Sequence, residues 1–227
     1  MNAKQLAAEA AVALIKDGMK VGLGTGSTAY FAIQKIGRRV KDEGLKVTCI
    51  ATSVQSEELA TSLNIPMAGF EELSYLDITI DGADEADHSL QLIKGGGGAL
   101  LREKIIAYMT GHYVIIADDS KYVETLGKFF LPVEVIPFGW QRTFDHLSRL
   151  GCTPHLREKQ GAAYITDNGN YILDCDFKKI TDPGQLQTEL NLIPGVVECG
   201  LFVDRAQTLI IAAADGQLTT YHKEVKH

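Results

Sequence analysis

Hydrophobic and polar positions in the first half of the chain follow two alternating periods. Residues 3–17 place Leu6, Ala10 and Leu14 on one helical face and stop at Gly18, which predicts an amphipathic helix. Short apolar runs then alternate with helical segments, and the runs that predict strands are MKVGLG, KVTCIAT, IPMAG, LDITIDGAD and HYVIIADDSK. Strands that alternate with helices favour βαβ units around a parallel sheet.

The pattern changes near residue 130. From there the segments predict strand, helix, strand, a hairpin that turns at Asn168-Gly169, helix and strand, which is the β-α-β-β-α-β order of the ferredoxin-like motif. Residues 208–216 predict one more strand that rejoins the first sheet. We therefore expect an α/β fold, with a Rossmann-like parallel-sheet domain (residues 1–129 plus 206–227) and an inserted ferredoxin-like α+β domain (residues 130–205).

Composition narrows the class of protein. The chain has 227 residues, of which 45% are hydrophobic, and a net charge of −7, which argues against a nucleic-acid surface. No apolar run has the length of a membrane span, and Glu9 interrupts the apolar N-terminal segment, so we expect a cytoplasmic protein without membrane contact. The four cysteines have neither CxxC nor metal-ligand spacing, which predicts reduced, buried thiols.

Four of the predicted strands end in polar or glycine-rich segments. Ligands of parallel sheets bind at the carboxyl ends of strands, so these segments are the candidates for one site. They are GTGST (24–28), ATS (51–53), DGADEAD (81–87) and ADDSK (117–121).

The first of these segments has the composition of a phosphate-binding loop. Backbone N–H groups of a glycine-rich turn at a helix N-terminus attract phosphate, and Thr25, Ser27 and Thr28 add hydroxyl groups. Ser27 replaces the third glycine of a dinucleotide fingerprint, and no GK[ST] of a P-loop is present. A small phosphate ester fits better than NAD or ATP, although an ordinary glycine turn with a Ser or Thr cap is the alternative.

The acidic segment places Asp81 and Asp84 three residues apart after a strand. Carboxylates there can bind sugar hydroxyls or exchange protons, but Asp and Gly are also common in solvated turns. A metal site is a third interpretation, which His88 alone does not support.

The segment KGGGGALLREK (94–104) is the most unusual. Four consecutive glycines beside Lys94 suit a backbone that packs against a ligand. The apolar stripe of the following helix lies opposite Glu103, however, so helical periodicity alone predicts that this glutamate faces solvent. Lys121 in ADDSK also has two interpretations: it either contacts a ligand or is an ordinary surface lysine.

Taken in order, GTGST, DGADE, KGGGGALLREK and ADDSK resemble the signature segments of the ribose-5-phosphate isomerase A family, as do LPVEVIP, TDNGN and IPGVVECGLF. The resemblance implies interconversion of ribose 5-phosphate and ribulose 5-phosphate in the pentose phosphate pathway, without cofactor or metal, by a homodimer or homotetramer. It also implies that Gly98, where some relatives carry alanine, matters little.

The resemblance also assigns roles by position. It makes Glu103 the base that moves a proton between C2 and C1, and Lys94 the cation that stabilises the enediolate oxygen. Asp81 and Asp84 hold sugar hydroxyls and assist ring opening. The remaining substrate contacts that it implies are Thr25, Gly26, Ser27, Thr28, Gly82, Ala83, Gly95, Gly96, Gly97 and Lys121.

Two other functions fit a sheet of this kind. A non-catalytic sugar-phosphate sensor would usually carry a basic helix-turn-helix, and the sequence has none. An acyl-CoA transferase-like enzyme would need a glutamate nucleophile and a large nucleotide site.

Overall fold

The computed structural model describes residues 2–223. Six α-helices lie within them: α1 (Ala3–Val12), α2 (Ser27–Arg38), α3 (Val54–Ser62), α4 (Leu100–Tyr108), α5 (Trp140–Ser148) and α6 (Pro183–Asn191). A π-helical turn continues α2 over Arg39–Glu43, and a 3-10 turn covers Asp119–Lys121.

Fifteen strands complete the secondary structure of the described residues. The first eight are β1 (Lys20–Leu23), β2 (Thr48–Ala51), β3 (Leu76–Gly82), β4 (Glu85–Ala86), β5 (Leu92–Ile93), β6 (Thr110–Asp118), β7 (Leu131–Val135) and β8 (Thr153–Leu156). The others are β9 (Glu158–Lys159), β10 (Ala162–Ala163), β11 (Tyr171–Asp176), β12 (Val196–Cys199), β13 (Leu201–Phe202), β14 (Thr208–Ala212) and β15 (Leu218–His222).

The chain divides into two compact units. Unit 1 consists of Met1–Ala83, Arg102–Tyr122 and Arg205–His227, and unit 2 of Asp84–Leu101 and Val123–Asp204. This division differs from the predicted one in residues 84–101 and 123–129, which group with unit 2, and in Arg205, which groups with unit 1. The reason is strand pairing, because β4 and β5 form a small antiparallel sheet with β13.

Unit 1 is built on a six-stranded sheet in the order β15-β14-β6-β3-β1-β2. Five of these strands run parallel, and β15 joins antiparallel at the edge. The predicted parallel sheet is confirmed, including the return of residues 208–212 beside β6. The predicted strand IPMAG is reduced to a single bridge between Cys49 and Met67, and residues 218–222 form a strand that the sequence did not indicate.

The core of unit 1 lies between this sheet and helices α1 and α2. The apolar residues of β1 and β3 are buried, and α1 contributes the small residues Ala7, Ala8 and Ala11, which let the helix approach the sheet closely. α1 ends at Val12, five residues before the predicted end at residue 17, although Ile15 is still buried.

Unit 2 contains an antiparallel four-stranded sheet in the order β12-β7-β11-β8, with α5 between β7 and β8 and α6 between β11 and β12. This is the predicted ferredoxin-like order, and the α/β fold class is confirmed. The hairpin differs from the prediction, because β11 pairs directly with β8 while β9 and β10 form their own short hairpin.

The turn at Asn168-Gly169 is held by a buried carboxylate. Oε1 of Glu134, on β7, accepts hydrogen bonds from Thr166 Oγ1 at 2.9 Å, Asn168 Nδ2 at 3.1 Å and Asn170 Nδ2 at 2.9 Å. Glu134 is fully buried. The Thr166 N–H also donates to the Asn170 carbonyl at 2.9 Å, so TDNGN does form a turn, but β11 continues from it to pair with β7 and β8.

No helix within residues 2–223 is long and apolar enough to cross a membrane. The four cysteines are all free thiols and all buried. Burial raises the pKa of Cys49 to about 12.

Candidate active site

The polar segments of unit 1 meet at one edge of its sheet. β2, β1, β3 and β6 are parallel neighbours, so the residues that follow them lie at the same edge. Among the predicted site residues, unit 1 holds 25–28, 81–83, Glu103 and Lys121, and unit 2 holds Asp84, Lys94 and residues 95–97. Lys121 is partly buried in the 3-10 turn after β6.

The loop after β1 leads directly into α2. Gly26 is the N-cap residue, with φ at +99°, and no side chain caps the helix. Gly26 and Ser27 are exposed, and Nζ of Lys4 donates a hydrogen bond to Ser27 Oγ at 2.9 Å. An uncapped helix N-terminus beside a lysine is an arrangement that attracts phosphate.

Thr25 differs from its neighbours because its hydroxyl is buried. Thr25 Oγ1 lies 2.6 Å from Thr52 Oγ1 and 2.8 Å from Ser53 Oγ, and Ser56 Oγ donates to the Gly24 carbonyl at 2.7 Å. This hydroxyl cluster ties the end of β1 to the end of β2 and to the start of α3. The geometry therefore gives the Thr25 side chain a structural contact within the loop.

Asp81 is completely buried at the end of β3. Its Oδ1 accepts hydrogen bonds from the backbone N–H groups of Thr25 at 3.0 Å and Gly82 at 2.8 Å, and its Oδ2 accepts from the hydroxyl of Tyr113 at 2.9 Å. A Cβ on Gly24 would collide with this carboxylate. The solvated-turn interpretation is wrong for Asp81, because strand β3 carries the carboxylate into the interior.

Glu103 does not face solvent as the helical periodicity predicted. It is 4% exposed, whereas Ile105 and Tyr108 of the predicted apolar stripe are 48% and 61% exposed. The guanidinium of Arg205 lies 4.3 Å from the Tyr108 ring centroid. The periodicity misled because α4 buries a mixed set of apolar and charged residues: Leu100, Glu103, Lys104, Ile106 and Ala107.

A buried tyrosine marks the surroundings of both carboxylates. Burial raises the pKa of Tyr113 well above its ordinary value, and the negative charges of Asp81 and Glu103 raise it further. The structure thus gathers two acidic groups around the neutral phenol of Tyr113 in unit 1.

In unit 2 the glycine loop is shaped around Asp84. The N–H of Gly96 donates to Asp84 Oδ2 at 2.7 Å, and a Cβ on Gly96 would lie 2.5 Å from Asp84 Oδ1. Gly95 and Gly98 have φ values of +101° and +84°, which disfavour any side chain. A Cβ on Gly98 would also overlap the ring of Tyr164, so an alanine at this position requires Tyr164 to move.

Lys94 is only 2% exposed. Its backbone N–H donates to the Gly200 carbonyl at 2.9 Å, and its ammonium group lies 5.4 Å from the ring centroid of Phe202. An ammonium group held inside a protein interacts more strongly with nearby negative charge than one in water.

The other acidic residues of DGADEAD shape the backbone. Glu85 is buried and accepts hydrogen bonds from the N–H groups of Gly127 at 2.8 Å and Phe129 at 2.6 Å. Asp87 Oδ1 accepts from the N–H groups of Ser89 and Gln91, both at 2.9 Å. Within residues 2–223, no three His, Cys, Asp or Glu side chains group in a way that could hold a metal ion.

Comparison with known proteins gives the family. The profile of ribose 5-phosphate isomerase A (phosphoriboisomerase A) matches residues 48–216. The chain belongs to the ribose 5-phosphate isomerase A family. Ribose-5-phosphate isomerase A 1 of Oceanobacillus iheyensis is 52% identical over 212 residues, which are 93% of this chain and 95% of the relative.

Solved structures of the family share the whole fold. The ribose 5-phosphate isomerase of Plasmodium falciparum has a TM-score of 0.95 at 39% identity and covers 98% of both chains. A D-ribose-5-phosphate isomerase in complex with phospho-erythronic acid has a TM-score of 0.94 at 39% identity and covers 98% of this chain and 100% of its own.

This membership confirms the predicted enzyme class. The chain is an aldose–ketose isomerase that interconverts ribose 5-phosphate and ribulose 5-phosphate in the pentose phosphate pathway. The comparisons give no support to the sugar-phosphate sensor.

Three residues around the family's motifs escaped the sequence analysis: Lys4 at Ser27, Tyr113 at Asp81, and Arg157, whose Nη1 donates to the Gly95 carbonyl at 2.9 Å. A signal existed only for Tyr113. It lies in the apolar strand HYVIIA, and a buried tyrosine hydroxyl usually has a hydrogen-bond partner.

Proposed function

We propose that the isomerisation proceeds through an enediolate, with Glu103 as the base that moves the proton between C2 and C1. One carboxylate can perform both transfers because the planar enediolate presents C1 and C2 on the same face. The observation that carries this assignment is that Glu103 is buried beside Tyr113, although the periodicity of α4 predicts that it faces solvent. A charged side chain is rarely buried without a functional or pairing reason.

Charge that develops on the substrate oxygen requires donors held in place before the reaction. We assign this role to the ammonium group of Lys94, which is buried beside Phe202. Asp81 and Asp84 hold the sugar hydroxyls and assist ring opening. The N–H group of Gly82 orients the carboxylate of Asp81, and the N–H group of Gly96 orients that of Asp84.

The phosphate of the substrate binds at the N-terminus of α2. Gly26, Ser27 and Thr28 supply N–H and hydroxyl donors, and Lys4 adds a positive charge at Ser27. Thr25 contributes through the loop geometry that its hydroxyl cluster maintains, and Lys121 and the backbone of residues 82–83 and 95–97 complete the substrate contacts.

The phospho-erythronic acid bound by the solved relative suits this chemistry. It carries a phosphate at one end and a carboxylate at the other, and a carboxylate resembles the charged oxygens of an enediolate. Competitive inhibition of this enzyme by the same compound is expected.

Assembly and location are part of the proposal. We expect a homodimer or homotetramer in the cytoplasm, without nucleic-acid or membrane partners. The net charge of −7 argues against a nucleic-acid partner, and four buried free thiols suit a reducing compartment. Phe138 and Leu192, which are 90% and 78% exposed, are suited to an interface between subunits. Sedimentation equilibrium measures the state directly.

The deciding experiment follows ketose formation from ribose 5-phosphate in excess EDTA, with the wild type, Glu103→Gln and the exposed control Glu58→Gln. We expect full activity in the wild type and the control, and a loss of about 1,000-fold in kcat for Glu103→Gln. A Glu103→Gln enzyme with wild-type kcat would remove Glu103 from this role. An inactive wild type that still binds the sugar phosphate would overturn the catalytic function.

A further inference from the structure

We infer that Arg157 is a positioning residue for the isomerisation, which holds the two peptide planes between Gly95 and Gly97 so that the N–H groups of Gly96 and Gly97 point away from it, with that of Gly96 on Asp84. The inference rests on the proposed function, because its effect on rate requires that this loop contact the substrate. It concerns a residue to which the family's motifs assign no role.

The carbonyl groups of the loop all turn to one side. Nη1 of Arg157 donates to the carbonyl oxygens of Gly95 at 2.9 Å and Gly96 at 3.2 Å. The hydroxyl of Tyr164 lies 3.4 Å from the carbonyl oxygen of Gly97. Three consecutive carbonyls therefore meet two side chains that follow β8 in the sequence.

Arg157 is itself fixed in place. Its Nε donates to Asp174 Oδ2 at 2.9 Å and its Nη2 to Asp174 Oδ1 at 2.5 Å, with the two side chains 15% and 19% exposed. The ring of Tyr164 lies 5.9 Å from the guanidinium carbon. The planar guanidinium thus uses the edge formed by Nε and Nη2 on a carboxylate of β11 and Nη1 on the loop, a division that a lysine ammonium cannot reproduce.

The planarity of the peptide bond carries this restraint to the other side of the loop. A trans peptide directs its N–H opposite to its C=O, so a carbonyl held by Arg157 sends the next N–H away from it. The N–H of Gly96 does reach Asp84 Oδ2, at 2.7 Å. The N–H of Gly97 follows the carbonyl of Gly96 in the same way, and Gly97 is exposed.

Successive N–H groups with a common direction form a nest that attracts negative charge. In the reaction the charge develops on the enediolate oxygens, and donors that are held before the reaction stabilise it most. Glycines at 95–97 lack the side chains that would stiffen the loop, and the turn hydrogen bond from the Gly98 N–H to the Gly95 carbonyl, at 2.9 Å, leaves the Gly96 carbonyl unrestrained from within, so a further restraint comes from outside. Arg157 supplies it while Asp84 receives one of the aligned donors.

The test compares Arg157→Ala and Arg157→Lys with Arg142→Ala, which removes an arginine whose side chain is 80% exposed in an ion pair of the same unit. Circular dichroism and thermal unfolding first establish that each variant is folded. We expect kcat to fall about 100-fold in both Arg157 variants while KM for ribose 5-phosphate changes less than about threefold, because a donor displaced by about 1 Å weakens transition-state binding more than substrate binding. Arg142→Ala should keep the wild-type kcat.

A second readout excludes a purely structural role. Guanidinium ion at low millimolar concentration should restore part of the kcat of Arg157→Ala in a saturable manner, whereas ammonium ion at the same ionic strength should not. If Arg157→Ala does not fold, Arg157→Lys decides: a folded Arg157→Lys with reduced kcat supports the inference.

Glu103→Gln in the same assay separates this inference from the proposed function. Wild-type kcat in a folded Arg157→Lys, with Glu103→Gln inactive, would overturn the role of Arg157 and leave the catalytic assignment intact. A wild-type enzyme without turnover would overturn both.

Discussion

The hydroxyl of Tyr113 donates a hydrogen bond to Oδ2 of Asp81 at 2.9 Å, and both residues are completely buried. β3 and β6 are adjacent parallel strands, so the pair links their side chains in the interior of unit 1. A phenol in this position has to stay neutral, because an ionised Tyr113 would add a second negative charge beside Asp81. The pair therefore couples the stability of unit 1 to pH.

Alkaline pH should destabilise the protein through Tyr113. Burial and the negative charges of Asp81 and Glu103 raise the pKa of Tyr113 above its unfolded value of about 10. The contribution of this group to the free energy of unfolding is therefore fully present below about pH 10, and it is lost as the pH rises toward the pKa in the folded state. Above pH 10, the free energy of unfolding should fall by about 1.4 kcal/mol per pH unit on account of this group. Urea unfolding at pH 9 and 11 should show this loss in the wild type and in Tyr108→Phe, which removes an exposed tyrosine, but a smaller loss in Tyr113→Phe. Equal losses in all three would contradict the assignment.

Alanine at position 96 should impair catalysis more than folding. Its Cβ would lie 2.5 Å from Asp84 Oδ1 and would push this carboxylate away from the Gly96 N–H. We expect kcat/KM to fall about 100-fold, since displacement of a positioned group by about 1 Å has an effect of this size. The control is Gly184→Ala in α6, where the nearest atom to the new Cβ is 3.6 Å away. A Gly96→Ala enzyme as active as the control would show that Asp84 tolerates displacement.

Removal of the Lys4 ammonium should weaken substrate binding and leave the chemical step intact. Lys4 donates to Ser27 Oγ at the N-terminus of α2, where we place the phosphate. We expect KM for ribose 5-phosphate to rise about 10-fold in Lys4→Ala with little change in kcat, in line with one charge-assisted hydrogen bond. The control Lys16→Ala, which removes an exposed lysine of unit 1, should keep the wild-type KM. The phosphate assignment would be contradicted if Lys4→Ala and Lys16→Ala had the same KM.

The sequence predicted those features that depend on local pattern. The alternation of strands with helices predicted the parallel sheet. Asp81 was identified because ligands bind at the carboxyl ends of parallel strands, and a polar segment after an apolar strand can be recognised without a structure. The ferredoxin-like order was visible for the same reason. The pairing of β11 with β8 was not, because it depends on contacts between strands rather than on the strong turn signal of Asn168-Gly169.

Glu103 and Arg157 show where local pattern stops being sufficient. Tertiary neighbours determine which face of α4 is buried. The apolar residues Ile105 and Tyr108 predict the opposite face, and both are exposed in the structure. Arg157 is separated by 62 and 61 residues from Gly95 and Gly96, which it contacts. A single arginine after a strand gives no sequence signal of such a distant contact.

The buried carboxylate of Glu134 should matter for stability and not for the reaction. Oε1 of Glu134 accepts hydrogen bonds from Thr166, Asn168 and Asn170, and truncation would leave these donors without an acceptor. We expect Glu134→Ala to lower the free energy of unfolding by about 3 kcal/mol, measured by urea titration, because unsatisfied buried donors cost more than a lost surface contact. Glu189→Ala, an exposed glutamate on α6, should change it by less than about 0.5 kcal/mol. At a temperature where Glu134→Ala is folded, its kcat should stay within about threefold of the wild type. A larger loss of kcat would show that Glu134 has a role in the reaction as well as in stability.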